Sequence, residues 1–149
     1  MRALLASALA VLAASAVPAA PAGVRVGGWA RPTIAGQSAG AAYLHIRNTG
    51  PAGDRLLAVS SPAAASAAVH RSSIVGGVSR MRPAGPIAIA PGGTLAMGPN
   101  GLHVMLVGLR RPLRPGSRLP LTLKFERAGV QRTTIPIQMS APDAGHAHH

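Results

Sequence analysis

The sequence predicts a single all-β domain, a sandwich or barrel built from short strands. From Val24 onward, short apolar or alternating runs are separated by Gly, Pro, Asn and Asp turn signals about every ten residues. The chain has 18 Gly and 14 Pro but only one Trp, one Tyr and one Phe, which favours many turns over long helices. No segment after Ala22 shows sustained helical periodicity. A chain of 149 residues is long enough for one well-buried domain.

The first element is a predicted signal peptide at residues 1–22. Met1 and Arg2 precede an apolar run from Ala3 to Val17, and small residues follow, a pattern typical of secretory signals. The run is shorter than the roughly 20 apolar residues that span a bilayer. We therefore expect cleavage, no stable membrane insertion afterwards, and a periplasmic mature protein.

The second element is the domain itself, predicted at residues 23–139, and the third is a flexible tail at residues 140–149. Turn-forming residues such as Gly76-Gly77 and Pro99-Asn100-Gly101 separate the predicted strands. Nine strands are predicted: Val24 to Ala30, Ala41 to Asn48, Arg55 to Ser60, Ala67 to Ser73, Val78 to Pro83, Thr94 to Met97, Leu102 to Leu109, Arg118 to Phe125 and Arg132 to Ile137.

The charge is strongly positive, with 15 Lys and Arg against three acidic residues. Nucleic acid is the first partner that such a charge suggests. However, the arginines are scattered in ones and twos, and three aromatic residues are too few for a base-stacking platform. We expect no nucleic-acid binding and interpret the charge as a solvated surface, or as one that steers an acidic protein partner.

The absence of cysteine excludes disulfides, thiolate metal sites and CxxC redox chemistry. It also excludes a blue-copper electron-transfer centre, which needs a Cys thiolate. An enzyme is not expected either, because Asp54, Glu126 and Asp143 are far apart in the sequence and no G-x-S-x-G elbow is present.

The candidate site consists of His70, Met81, His103 and Met105. On a strand, His103 and Met105 point to one side while Val104 points to the other, and a hairpin through Gly76-Gly77 would bring Met81 toward His70. Two imidazoles and two thioethers form a soft, neutral ligand set that selects Cu(I) over zinc, magnesium or calcium. Taken singly, a methionine on a strand is more often a core residue than a ligand, and a lone histidine is more often a surface or hydrogen-bonded residue. We interpret Met97 and Met139 in this way, as core methionines.

The spacing of these four residues, H-x10-M-x21-H-x-M, resembles the signature of the periplasmic copper chaperones called PCu(A)C. The similarity extends over residues 24–137. Further segments that resemble the family are Trp29-Ala30-Arg31, Ala41-Ala42-Tyr43-Leu44, Asn48-Thr49-Gly50, Asp54-Arg55-Leu56, Ser60-Ser61-Pro62, Met81-Arg82-Pro83, Gly101-Leu102-His103-Val104-Met105-Leu106, Leu109-Arg110-Arg111-Pro112-Leu113 and Leu121-Thr122-Leu123-Lys124-Phe125.

The resemblance implies a cupredoxin-like, Greek-key β-sandwich with an exposed Cu(I) site at one end, bound by the four residues above. It also implies a role in supplying copper to cytochrome c oxidase, so the expected partner is an oxidase subunit or another copper-accepting assembly protein. A monomer is the default expectation.

The tail differs from the family, many of whose members carry Met-rich or His-rich extensions for a second copper. Here only His146, His148 and His149 are present. Imidazoles alone suit Cu(II), and also Ni(II) or Zn(II). The tail is therefore a candidate second Cu(II) site, with adventitious metal binding as the alternative.

Two other functions stay open at this point. A periplasmic copper buffer or resistance protein would hold the same ion without donating it. A metal-free secreted Ig-like interaction module would show no response to Cu(I).

Overall fold

The computed structural model describes residues 23–142. The predicted signal peptide and the tail histidines His146, His148 and His149 lie outside these residues. Residues 23–142 form strands and turns without any helix, so the all-β prediction is confirmed. It follows that this range contains no helix able to cross a bilayer.

Ten strands make up the fold, and four of them have the predicted bounds. The strands are β1 (Val24–Ala30), β2 (Ala39–Asn48), β3 (Asp54–Ser60), β4 (Ala64–Val75), β5 (Val78–Pro83), β6 (Ile87–Ile89), β7 (Thr94–Ala96), β8 (Leu102–Leu109), β9 (Arg118–Phe125) and β10 (Gly129–Pro136).

The differences from prediction have local causes. Strand β6 was not predicted, because three residues are too few to show a period. Strand β10 begins at Gly129 rather than Arg132, since Gly129 takes a positive φ of 72° and closes the turn back onto Phe125. Strand β4 is longer at both ends than predicted because its pairing with β8 begins at Ala64 and its pairing with β5 reaches Val75.

Two antiparallel sheets pack face to face. The larger has the order β1-β2-β8-β4-β5, with β7 beside β2, and the smaller has the order β10-β9-β3-β6. Alternate residues on each strand point into the core between the sheets, as Val104 and Leu106 do from β8 and Leu121 and Leu123 do from β9. The intervening residues point outward. The outer face of the larger sheet carries the candidate site.

Gly28 is a position in the larger sheet where a side chain would not fit. Its φ is +152°, and it lies opposite Leu44 on β2. A Cβ atom at this position would overlap the carbonyl oxygen of Tyr43. The pairing of β1 with β2 therefore depends on a residue without a side chain.

Asp54 joins β3 to the turn between β9 and β10. Its side chain is 4 % exposed. Oδ1 accepts hydrogen bonds from the backbone N–H groups of Arg55 and Arg127, both at 2.8 Å, and Oδ2 accepts one from Ala128 at 2.9 Å. Burial acts most strongly on the pKa of Asp54 and raises it, yet the three backbone donors and the charge of Arg127 together hold this pKa below its usual value of 3.8.

We expect the free energy of unfolding to fall in acid, where the Asp54 carboxylate becomes protonated. Because the folded pKa of Asp54 is depressed, its contribution is present above the unfolded value and is lost as pH falls through the folded pKa. Asp54→Asn is expected to lower the free energy of unfolding at pH 7 by about 2 kcal/mol and to weaken the dependence of stability on pH below about 4. Urea unfolding at pH 7 and pH 3 measures both effects. Glu126→Gln, which removes an exposed contact with Arg55, is the control and should change little.

Candidate metal centre

His70 and His103 are neighbours on two adjacent strands of the larger sheet, at the end where β8 begins. His70 on β4 is the direct cross-strand partner of His103 on β8. Their rings are stacked, with centroids 6.1 Å apart and planes inclined by 25°. Two imidazoles that are 33 residues apart in the sequence are thus held side by side by strand pairing.

The hydrogen bonding of the two rings leaves nitrogen atoms free. Nδ1 of His103 lies 3.4 Å from the carbonyl oxygen of Gly101, and a proton on that nitrogen would fix the ring and leave Nε2 as a lone-pair donor. Nδ1 of His70 is buried and has no hydrogen-bond partner among the described residues. A buried polar atom without a partner is costly, and coordination of a metal ion would satisfy it. The pair therefore suits a metal ion.

Strand alternation brings both methionines to the same face of the sheet. Met105 follows His103 by two residues, while Val104 between them is fully buried in the core. Met81 on β5 lies opposite Ser72, which shares the face of His70 because the two are two residues apart. Met81 is 54 % exposed. The register thus places the four side chains on one face of the larger sheet, whereas the alternation in the sequence predicted this only for His103 and Met105.

The two methionines stand at opposite corners of this group. Met81 is displaced from Met105 by two strands and, through Ser72, by four residues along the strand direction. In a flat sheet their Cα atoms would be roughly 16 Å apart, whereas His70 and His103 occupy the centre. The two histidines are therefore common neighbours of both methionines.

An open cavity of about 380 Å³ lies over this face. Met81, His103 and Met105 line it, together with Arg31 and Tyr43. His70 is outside the lining and adjoins it through the ring of His103. None of the lining residues is acidic, and within residues 23–142 no three side chains of His, Cys, Asp or Glu converge. The cavity therefore offers neutral donors and no carboxylate.

Tyr43 and Arg31 add an aromatic ring and a positive charge to the cavity lining, and Trp29 packs against Tyr43. The rings of Trp29 and Tyr43 are 4.9 Å apart at 42°, and both side chains are 5 % exposed. The guanidinium of Arg31 stands 5.9 Å above the Tyr43 ring. Sequence reasoning did not assign these residues to the site, although the alternation Trp29-Ala30-Arg31 places the first and third on one face.

Met97 and Met139 do not line the cavity. Met97 is 5 % exposed and packs in the core, which confirms its interpretation as a core residue. Met139 is 78 % exposed, contrary to a packing role, and does not line the cavity. The tail histidines lie outside the described residues.

Sequence comparison gives one family and one curated relative. Residues 24–137 match the family model "LpqE-like: Putative lipoprotein LpqE-like". Over 105 residues the chain is 30 % identical to "Putative lipoprotein Lxx21020" of Leifsonia xyli subsp. xyli. The match covers 70 % of this chain and 63 % of that relative, so it spans less than two thirds of the relative's length.

Solved structures share the fold. The apo PCuAC domain from PmoF1 is 27 % identical, with a TM-score of 0.67, over 80 % of this chain and 97 % of that one. The solution structure of CuI-DR1885 from Deinococcus radiodurans is 26 % identical, with a TM-score of 0.62, over 85 % and 83 % of the two chains. The copper-bound PCuAC domain from PmoF2 is 24 % identical, with a TM-score of 0.66, over 80 % and 96 %, a likeness that shows the fold alone.

Proposed function

We propose, from the premise that the chain belongs to the LpqE-like, PCuAC-type family, that it is a copper chaperone. It binds one Cu(I) ion through His70, Met81, His103 and Met105. The observation that carries the proposal is the stacked histidine pair, with a buried and unpartnered Nδ1 on His70, between two methionines on one face of the sheet. The similarity to CuI-DR1885 supports copper as the ion.

The ligand set favours Cu(I) over its competitors. Thioether sulfur is polarizable and neutral, so it binds a soft monovalent ion well and contributes little to binding Zn²⁺ or Mg²⁺. The positive charge of Arg31 on the same cavity wall disfavours a divalent ion more than a monovalent one. Neither the ligands nor the wall supplies the negative charge that hard cations require.

The exposure of Met81 suits donation of the ion. His103 is buried, whereas more than half of the Met81 side chain is accessible. A ligand from another protein can reach the ion on the Met81 side and displace a weak thioether while the histidines still hold it. Transfer thereby proceeds by ligand exchange rather than by release of free copper.

The proposed site of action is the cell envelope, and more specifically the periplasm. The relatives are described as lipoproteins, and residues 1–22 have the pattern of a signal peptide. We propose that the domain at residues 23–139 delivers Cu(I) to a copper site of cytochrome c oxidase, or to an assembly protein of that oxidase. No catalytic role is proposed.

An anaerobic titration tests the proposal. Residues 23–149 are expected to take one equivalent of Cu(I) from a chromogenic chelator, and to pass it to a copper-free oxidase subunit domain faster than the ion dissociates. Deletion of residues 143–149 should leave the Cu(I) equivalent intact and lower only the binding of added Cu(II). Absence of a tight Cu(I) equivalent would refute metal binding and favour the metal-free interaction module, whereas tight binding without transfer would favour the copper buffer.

A further inference from the structure

The hairpin of β4 and β5 projects from the body of the protein. Strand β8 pairs with β4 only as far as Arg71, so the rest of the hairpin is a two-stranded ribbon at the edge of the larger sheet. Every residue of β5 is exposed. The hairpin meets the metal site because it carries both His70 and Met81.

Three arginines lie together on the face of this hairpin that is opposite to Met81. Arg71 and Arg82 are direct cross-strand partners, and Arg80 lies opposite Ser73 on the same face. Like charges at directly opposed positions destabilise a strand pair. The pairing of Arg71 with Arg82 therefore lowers the stability of the hairpin.

No carboxylate within residues 23–142 offsets that charge. Asp54 is buried and bound to three backbone N–H groups, and Glu126 lies 3.8 Å from Arg55 in the one ion pair of the described range. Arg71, Arg80 and Arg82 thus have no acidic partner in this part of the chain. Their charge is therefore available to an acidic group of another molecule.

The tip of the hairpin adds an apolar surface. Ile74, Val75 and Val78, around the Gly76-Gly77 turn, are 76 %, 60 % and 55 % exposed. Exposed apolar side chains bordered by charged ones are typical of protein contact surfaces. Val75 and Val78 share the face of the three arginines, whereas Ile74 lies on the other face at the tip. We call the face formed by Arg71, Val75, Val78, Arg80 and Arg82 the hairpin surface.

We infer that the hairpin surface is the docking site for an acidic protein, the one that accepts the metal. This inference rests on the proposed function, because it names the partner of the same site. Arg80 and Arg82 flank Met81 on the edge strand but point to the opposite face, so a partner whose carboxylates bind them lies at the exposed edge of the strand that carries the most exposed candidate ligand. A second copy of this chain is a poor occupant, since each copy carries a formal charge of +12. A membrane surface at this edge would cover Met81 with lipid and block transfer.

Two synthetic acceptor peptides provide the probe. Each contains a Cys-x-x-Cys pair, flanked in one peptide by four Asp and in the other by four Asn. Cu(I) transfer from the loaded protein is followed by stopped-flow absorbance at low and high salt. The variants are Arg71→Ser/Arg80→Ser/Arg82→Ser and a control of equal charge, Arg111→Ser/Arg114→Ser/Arg132→Ser, whose three exposed arginines lie away from the hairpin.

For the wild type, the acidic peptide should accept copper about tenfold faster than the neutral one at low salt, and the difference should disappear at about 0.5 M salt. The hairpin variant should lose most of this advantage while the control keeps it, and neither variant should alter transfer to the neutral peptide. Equal losses in both variants would assign the effect to overall charge and overturn the inference. The inference would also be overturned if the hairpin variant still transferred copper faster to the acidic peptide than to the neutral one, by as large a factor as the wild type does. It would likewise be overturned if the two peptides accepted copper at equal rates while the same arginines were needed for binding to vesicles that contain phosphatidylglycerol.

Copper uptake by the hairpin variant distinguishes the loss of docking from the loss of the metal site. The hairpin variant should still take one Cu(I) equivalent from the chelator. If the wild type binds no copper, the proposed function fails, and docking is then tested on metal-free protein by the fluorescence anisotropy of a labelled peptide of eight Asp residues. A roughly tenfold weaker binding by the hairpin variant than by the control would uphold the acidic docking surface, and equal binding would overturn it.

Discussion

Replacing His103 with Ala is expected to weaken Cu(I) binding by at least roughly a hundredfold. This residue occupies the centre of the site, where it faces His70 across the sheet and precedes Met105 by two residues on the same face. Its loss removes one donor and the ring against which His70 is stacked. Met105→Leu, which keeps the volume and loses only the sulfur, should weaken binding by about tenfold. Chelator competition under anaerobic conditions measures both affinities.

Met97→Leu is the matched control for these variants. It makes the same chemical change as Met105→Leu but at a methionine that is 5 % exposed in the core, so it should leave the Cu(I) affinity unchanged and cost less than about 1.5 kcal/mol in stability. Thermal unfolding without metal shows whether each variant is folded. If folded His103→Ala protein bound Cu(I) as tightly as the wild type, these residues would not be the ligands.

The second large effect is expected at Gly28. Gly28→Ala should destabilise the fold by about 3–4 kcal/mol, because the backbone is in a region that L side chains rarely adopt and the new methyl group would overlap the carbonyl oxygen of Tyr43. Relief would require β1 to move away from β2. That shift would disturb Trp29 and Tyr43, which pair across the same two strands.

Gly27→Ala is the control, since the added methyl group would meet nothing within 4 Å. It should change the free energy of unfolding by less than about 1 kcal/mol. Urea unfolding followed by the emission of Trp29 compares the two variants. Similar stabilities for both would mean that the close approach of β1 to β2 does not constrain the fold.

The local parts of this structure could be predicted from the sequence. The strand β8 was predicted with its true bounds, and its period of two placed His103 and Met105 on one face. The turn at Gly76-Gly77 likewise predicted the hairpin that joins β4 to β5. In both cases the determining signal lies within a few residues, in side-chain alternation and in glycines that accept positive φ.

The non-local parts could not be derived in this way. The pairing of His70 with His103 depends on the register of two strands that are distant in the sequence, and only the family resemblance pointed to it. Arg31 and Tyr43 line the cavity because the residue after β1 and a residue of β2 lie near β8 in the sheet. This neighbourhood depends on strand order, which no local pattern indicates. The position of Arg71 directly opposite Arg82 in the hairpin also depends on strand register, which the local sequence does not determine.

The separation of His70 and His103 by 33 residues has a consequence for when copper can be bound. Bringing two such distant positions together requires closure of a long loop, whose entropic cost must be met before any contact forms. An unfolded chain therefore offers the ion at most the local His103 and Met105 pair, without His70 and Met81. Binding is then linked to folding, and every tenfold excess of free Cu(I) over its dissociation constant adds about 1.4 kcal/mol to the stability of the native state. Copper is therefore expected to bind after the protein has folded, and its binding stabilises the folded state.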